Sequence, residues 1–167
     1  MTIQHESLPG VIYVTTAGPA NDTDEEQALA RTNVAHDLLL RLETQLRKFI
    51  DEHMTRAAGS NWPKHRLPGG FYDLWTEKKT TAMKNGAKDQ PLVAYADFTE
   101  YARIITKKDN WTAAFAAFFG REEDVRESFQ RMHYIRLDTM HARAITQDDF
   151  LLLLTETKRL MKIISGK

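Results

Sequence analysis

From about residue 28 onward, apolar side chains return every three or four positions, the period of a helix buried along one face. Leu38, Leu39, Leu42, Leu46, Phe49 and Ile50 keep this spacing, with Arg41, Glu43, Arg47 and Lys48 between them. Asn21-Asp-Thr-Asp-Glu-Glu26 upstream supplies capping side chains and negative charge for a helix N-terminus. The pattern predicts one long amphipathic helix that ends near Gly59. Residues 61–70, rich in Pro and Gly, read as a loop. A second helix is predicted over 72–84, closed by Asn85-Gly86.

Pro91 to Ala96 reads as a connector, after which Asp97 caps a helix to about Thr106. That helix turns Phe98, Tyr101, Ile104 and Ile105 inward. Asp109 or Asn110 opens a short helix over 111–119, stopped by Gly120. A further helix starts at Arg121 and runs to about Arg143. Thr146-Gln-Asp-Asp149 caps the last helix, which turns Phe150, Leu153, Leu154, Leu160, Ile163 and Ile164 toward a core. The N-terminal part differs. Leu8 to Pro19 has turn residues at both ends of a short β-prone run, Val11 to Thr16. With no partner strand in so helical a chain, it reads as an extended arm or linker; the alternative is an edge strand completed by another chain. The expected architecture is all-α: a bundle of about five to six helices over 28–167 with an extended N-terminal arm over 1–27.

The 167 residues suffice for one well-buried core, and the 42% hydrophobic and 28% charged content is that of an ordinary globular domain. Lys+Arg and Asp+Glu both number 23, so the net charge is zero. No large electrostatic footprint for duplex nucleic acid is evident, which argues against a DNA-coating protein but not against a small RNA cleft with a few local cations. The absence of cysteine removes disulfides, thiol nucleophiles and cysteine-based zinc sites. No leader pattern opens the chain, and the longest apolar run, Phe150 to Leu154, is far too short to span a bilayer. A cytoplasmic location is expected. No His-x3-His or paired-carboxylate spacing occurs, and Pro68-Gly-Gly70 is not a phosphate loop, so neither a metal nor a cofactor is expected. Trp62, Trp75 and Trp111 read as packing anchors, with base stacking as the alternative. The pairs Lys78/Lys79 and Lys107/Lys108 read as solvated faces that could also touch an RNA backbone.

Chemistry concentrates in Tyr134-Ile-Arg-Leu-Asp-Thr-Met-His141. Arg136 can clamp a phosphate, and His141 can move a proton near neutral pH. At about 100° per residue, Val125, Phe129, Met132 and Arg136 share one face. A guanidinium continuing an apolar stripe must meet an anion or open into a cleft. Asp138, three positions before His141, can reach and orient the imidazole. Arg31-Thr-Asn-Val-Ala-His36 has the same Arg-x4-His spacing but sits near a helix start.

Arg136-Leu-Asp-Thr-Met-His141 on the penultimate long helix resembles the Arg-x(4–6)-His motif of HEPN domains, the "higher eukaryotes and prokaryotes nucleotide-binding" superfamily. The resemblance covers about residues 28–165. It includes Leu46-Arg-Lys-Phe-Ile50, Asn110-Trp111 and His141-Ala-Arg-Ala-Ile-Thr146. It is similar to the branch found in a eukaryotic nuclear transcript-surveillance endoribonuclease and in bacterial proteins, some from defence loci. The resemblance implies a homodimer whose two motifs meet across the interface and cut single-stranded RNA without metal, as in toxin-like ribonucleases. Arg136 and His141 would then be catalytic, with Asp138 beside them. Active members usually carry a polar residue directly after the Arg, whereas this chain has Leu137 there and Asp138 one later. A second reading stays open: a non-catalytic dimerisation module, or one that docks on a partner ATPase or helicase.

Overall fold

The computed structural model describes residues 22–166, all of them helical or connecting. The arm over 8–19 and its β-prone run lie outside the described residues. Residues 22–27, counted above with the arm, form the opening turns of α1 (Asp22–Ala58). That helix ends where Gly59 takes φ 81° and donates its N–H to the Thr55 carbonyl at 2.8 Å.

Next come α2 (Trp62–Arg66), α3 (Phe71–Lys84), a 3-10 turn (Leu92–Tyr95) and α4 (Phe98–Ile105). Then follow α5 (Lys108–Asn110), a π-helical turn (Trp111–Phe115), α6 (Ala116–Phe119), α7 (Glu122–Met140) and α8 (Gln147–Ser165). Among the described residues no strand occurs, and the all-α bundle stands as expected from the periodicity.

The local rules act as written in the sequence at several ends. Asp97 and Glu100 form a capping box, with the Asp97 N–H donating to Glu100 Oε2 at 2.7 Å. Thr146 Oγ1 accepts the Asp149 N–H at 3.1 Å and starts α8. Four further expectations about element bounds need correction. The 61–70 loop contains α2, because Pro63 sits in its first turn, where a missing N–H costs nothing. The 91–96 connector winds one 3-10 turn. The short helix starts at Lys108, since Asn110 does not cap it. Its Nδ2 donates instead across the fold to the Arg66 and Ile104 carbonyls, at 3.1 and 2.9 Å.

Fourth, α7 stops at Met140, three residues early. His141 caps it, Ala142 takes φ 52°, and two backbone bonds close the turn. The Arg143 N–H donates to the Asp138 carbonyl at 2.8 Å, and the Ala142 N–H to the Thr139 carbonyl at 3.3 Å. This is a Schellman ending with alanine where glycine is usual.

α1 is the spine of the bundle and packs on α4, α7 and α8. Leu39, Leu42, Leu46, Phe49, Ile50 and Met54 bury its inner stripe against Phe129 and Met132 of α7 and Leu153 and Leu160 of α8. Each large apolar side chain so buried stabilises the fold by about 1.5–3 kcal/mol. Leu154, expected inward, is exposed, and Leu38, Ile163 and Ile164 are half-buried. Trp62 and Trp75 are fully buried, their indole N–H groups donating to Asp51 and Glu100 at 2.8 Å. α1 and α7 run antiparallel. Thr32 Oγ1 accepts the Ile145 N–H at one end, while Glu43 meets Arg136 a few turns along.

Candidate functional site

Glu43 sits beside Leu39, Leu42 and Leu46 on the inner edge of α1 and is buried, 6% exposed as a side chain. A lone carboxylate there would be expensive to desolvate, so it has to gather partners. It holds two guanidiniums. Arg136 donates Nε–H to Glu43 Oε1 at 2.6 Å, and Arg47, one turn along α1, donates Nη2–H to Oε2 at 3.2 Å. The buried Tyr101 hydroxyl accepts from Arg47 Nε at 2.7 Å and donates toward Glu43 Oε2 at 3.5 Å. Burial pushes the Tyr101 phenol well above its ordinary value, so it stays neutral; Arg47 opposes that shift and Glu43 adds to it.

Arg136 therefore does both things its position demanded: it meets an anion and it opens into a cleft. Its side chain is 23% exposed and its guanidinium carbon lies 5.6 Å from the Phe98 ring centre. The ion pair uses the Nε edge, and among the described residues no carboxylate pairs with the two Nη groups. They belong to a residue lining a cavity of about 260 Å³ between α1 and α7, together with Arg47, His36, Leu40 and Met140.

The other two residues singled out in the sequence stand apart. His141 is exposed at the C-cap of α7, where its N–H donates to the Leu137 carbonyl at 3.1 Å, and it does not line the Arg136 cavity. Asp138 pairs with Arg143 at 3.3 Å rather than with His141. Within one chain, then, Arg136 is set in a charged cavity and His141 stands on the rim of the same helix, flanked by exposed Tyr134 and Met140.

Pattern reading missed Glu43, Arg47 and Tyr101. In the sequence Glu43 reads as one of the polar intervals of α1, although it abuts the leucine stripe and has an arginine one turn later. In the sequence His36 shows only its spacing to Arg31. It is the histidine that shares the cavity with Arg136, which α1–α7 pairing alone produces. Three of the four lysines noted above are engaged within the chain: Lys78 with Asp97 at 2.7 Å, Lys79 with Asp89 at 2.6 Å, and Lys107 with Asp109 at 3.2 Å.

A second buried carboxylate repeats the arrangement between α7 and α8. Glu156 accepts from Arg131, at 2.8 Å to Oε1, from Arg159, at 3.1 Å to Oε2, and from Ser128. Burial alone would raise its carboxyl, but the Ser128, Arg131 and Arg159 hydrogen bonds outweigh that and hold it below the usual glutamate value. Both guanidiniums are engaged by Glu156, so this cluster reads as a brace between helices. Among the described residues, no group of three or more His, Asp or Glu side chains is arranged to hold a metal ion, and no helix is long and apolar enough to cross a membrane.

The family model described as Swt1-like HEPN matches residues 37–165, from the middle of α1 to the end of α8. No curated protein and no solved structure matches the chain. The chain belongs to the Swt1-like HEPN family.

Proposed function

From that membership we propose that this protein is a metal-independent endoribonuclease, active as a homodimer on single-stranded RNA. Arg136 clamps the scissile phosphate and His141 moves the proton. The observation that carries the reading is the orientation of Arg136. Glu43 grips its Nε edge, so the guanidinium is held in place while its Nη groups remain for two phosphoryl oxygens. Pre-set donors of this kind stabilise charge that grows during reaction.

In the reaction, the ribose 2′-oxygen attacks the adjacent phosphorus, and an imidazole takes the 2′-OH proton. The P–O5′ bond breaks and the leaving oxygen gains a proton. The products are a 2′,3′-cyclic phosphate and a 5′-OH end. His141 lies outside its own chain's Arg136 cavity, so the reading requires the partner copy to supply the imidazole. Exposed Leu40, Tyr134 and Met140 offer apolar area for that pairing. Asp138, held by Arg143, contributes negative charge near the His141 turn. An RNase acting in this way also fits a toxin-like role in antiviral defence.

One observation favours a second reading, a non-catalytic module that dimerises or docks on a partner ATPase or helicase. Arg136 already has a buried partner in Glu43, and such a pair holds two helices together without any substrate. Cleavage of a labelled single-stranded RNA in EDTA separates the two. We expect cyclic-phosphate products from the wild type and a fall of about 10²–10⁴ in rate for His141→Ala. Undiminished cleavage by that variant rejects the assignment; an inert wild type leaves the docking module.

A further inference from the structure

The Arg136 cavity does not end at Arg136. It shares Arg47 with a second hollow of about 340 Å³. That hollow shares Asp51, Pro91 and Val93 with a third of about 610 Å³, which reaches Lys64 and Tyr72. The three hollows follow one another beside α1 from His36 to Thr55 as a segmented groove, about 28 Å at 1.5 Å per residue. Its opposite wall is α7 at the Arg136 end and the connector before α4 along the other two hollows. Lys79 fixes that wall through the Gln90 carbonyl at 2.8 Å and Asp89 at 2.6 Å. A long open trough, with α1 on one side and α7 and a strapped connector on the other, suits an extended polymer better than a compact ligand.

The charges along it have an order. Arg136 and Arg47 share Glu43 at the cavity end. Lys48 follows, exposed and only loosely near the equally exposed Glu52, at 3.9 Å. Lys64 stands at the far end with no carboxylate partner among the described residues. The carboxylate in the middle, Asp51, accepts the Trp62 indole N–H on Oδ1, so Oδ2 is left as an acceptor. Half-buried Tyr72 presents a ring in the last hollow.

We propose that this groove carries the single-stranded RNA that flanks the cleaved bond, a claim that takes its ligand from the ribonuclease reading above. Phosphates lie over Arg47, Lys48 and Lys64. Asp51 accepts from a ribose hydroxyl or base amine, and a base rests against Tyr72. A polyglutamate chain would satisfy the cations, but it offers Asp51 only backbone amides and Tyr72 no flat ring.

The test uses the full chain carrying His141→Ala, so that binding is read without cutting. Binding of a single-stranded RNA of about 12 nucleotides and of a trinucleotide is followed by fluorescence anisotropy across a salt series. Adding Lys48→Gln and Lys64→Gln should weaken the longer RNA about tenfold, lower its salt slope by about 1.4, and leave the trinucleotide unchanged. Equal affinity of parent and variant for the longer RNA overturns the proposal, as does failure of the parent to bind it. Equally effective competition by a glutamate peptide of the same length also overturns it. Thermal melting of the lysine variant establishes that it is folded. Cleavage of the longer RNA in EDTA by chains with His141 intact keeps the two ideas separate. If it is not cut yet binds through the lysines, the ribonuclease reading fails and the groove stands. If it is cut and the lysines are irrelevant, only the groove falls.

Discussion

Replacing Glu43 by Gln keeps the shape of the side chain and removes the charge on which two helices converge. In the native fold that carboxylate faces Arg136, 23% exposed, and Arg47, 32% exposed. Stripping one partner from a fully buried ion pair costs about 3–5 kcal/mol, because a charge is left without compensation. Here water reaches part of each guanidinium and recovers some of that loss. A hydrogen bond to a charged group contributes about 1.5–3 kcal/mol, and Gln retains one acceptor for the two arginines. The expected destabilisation for Glu43→Gln is therefore about 2–3 kcal/mol, a fall in Tm of roughly 5–10 °C for a domain of this size. Urea unfolding followed by circular dichroism measures it. A cycle with Arg136→Gln isolates the pair, and the coupling should be about 1–2 kcal/mol. A loss below about 0.5 kcal/mol with no coupling would refute the claim that Glu43 organises the site.

Ala142 holds φ 52° at the end of α7, so Ala142→Gly should relieve left-handed strain and stabilise by about 0.5–1 kcal/mol after the added freedom of the unfolded chain; urea midpoints check this. Glu156 is held below its ordinary value, so the unfolded state binds the proton more readily than the fold. Its contribution is complete above the unfolded glutamate range and drains away as pH falls through the lower folded value. Glu156→Gln should cost about 2–4 kcal/mol at neutral pH and flatten stability against pH in the acid range, as read by melts from neutral to acid buffers. In cleavage, His36→Ala should lose far less rate than His141→Ala if the partner's imidazole does the work, and an equal loss assigns the cavity histidine that role.

Legibility in the sequence followed the distance over which each interaction acts. The Asp97–Glu100 box, the Thr146 cap and the glycine at 59 involve neighbours within a few residues, and each could be named in advance. So could the apolar stripe of α1, which repeats from Leu38 to Ile50, more than three turns. The overrun of α7 has an equally local cause: His-Ala-Arg-Ala continues a helix by composition, and Ala142 hides a turn that glycine would have announced. The site was only half visible. Arg136 stood out because it interrupts an apolar face, which demanded an anion or an opening. Its anion lies 93 residues away on α1, and no spacing rule links those two positions. The placing of His36 against the Arg136 cavity, and of His141 outside it, likewise arises from antiparallel pairing of α1 and α7. The groove past Arg47 depends on where lysines of α3 fasten a connector, a contact between segments with no shared period.

The most direct measurement mixes two dead variants. Arg136→Ala and His141→Ala are each assayed alone on single-stranded RNA in EDTA, then unfolded together in equal amounts and refolded so that protomers exchange. A mixed dimer restores one intact pairing of Arg136 from one protomer with His141 from the other, so activity should return to about one quarter of wild type. If the mixture remains as inactive as either variant alone, Arg136 and His141 of different protomers do not share a phosphodiester, and the account of the site is wrong.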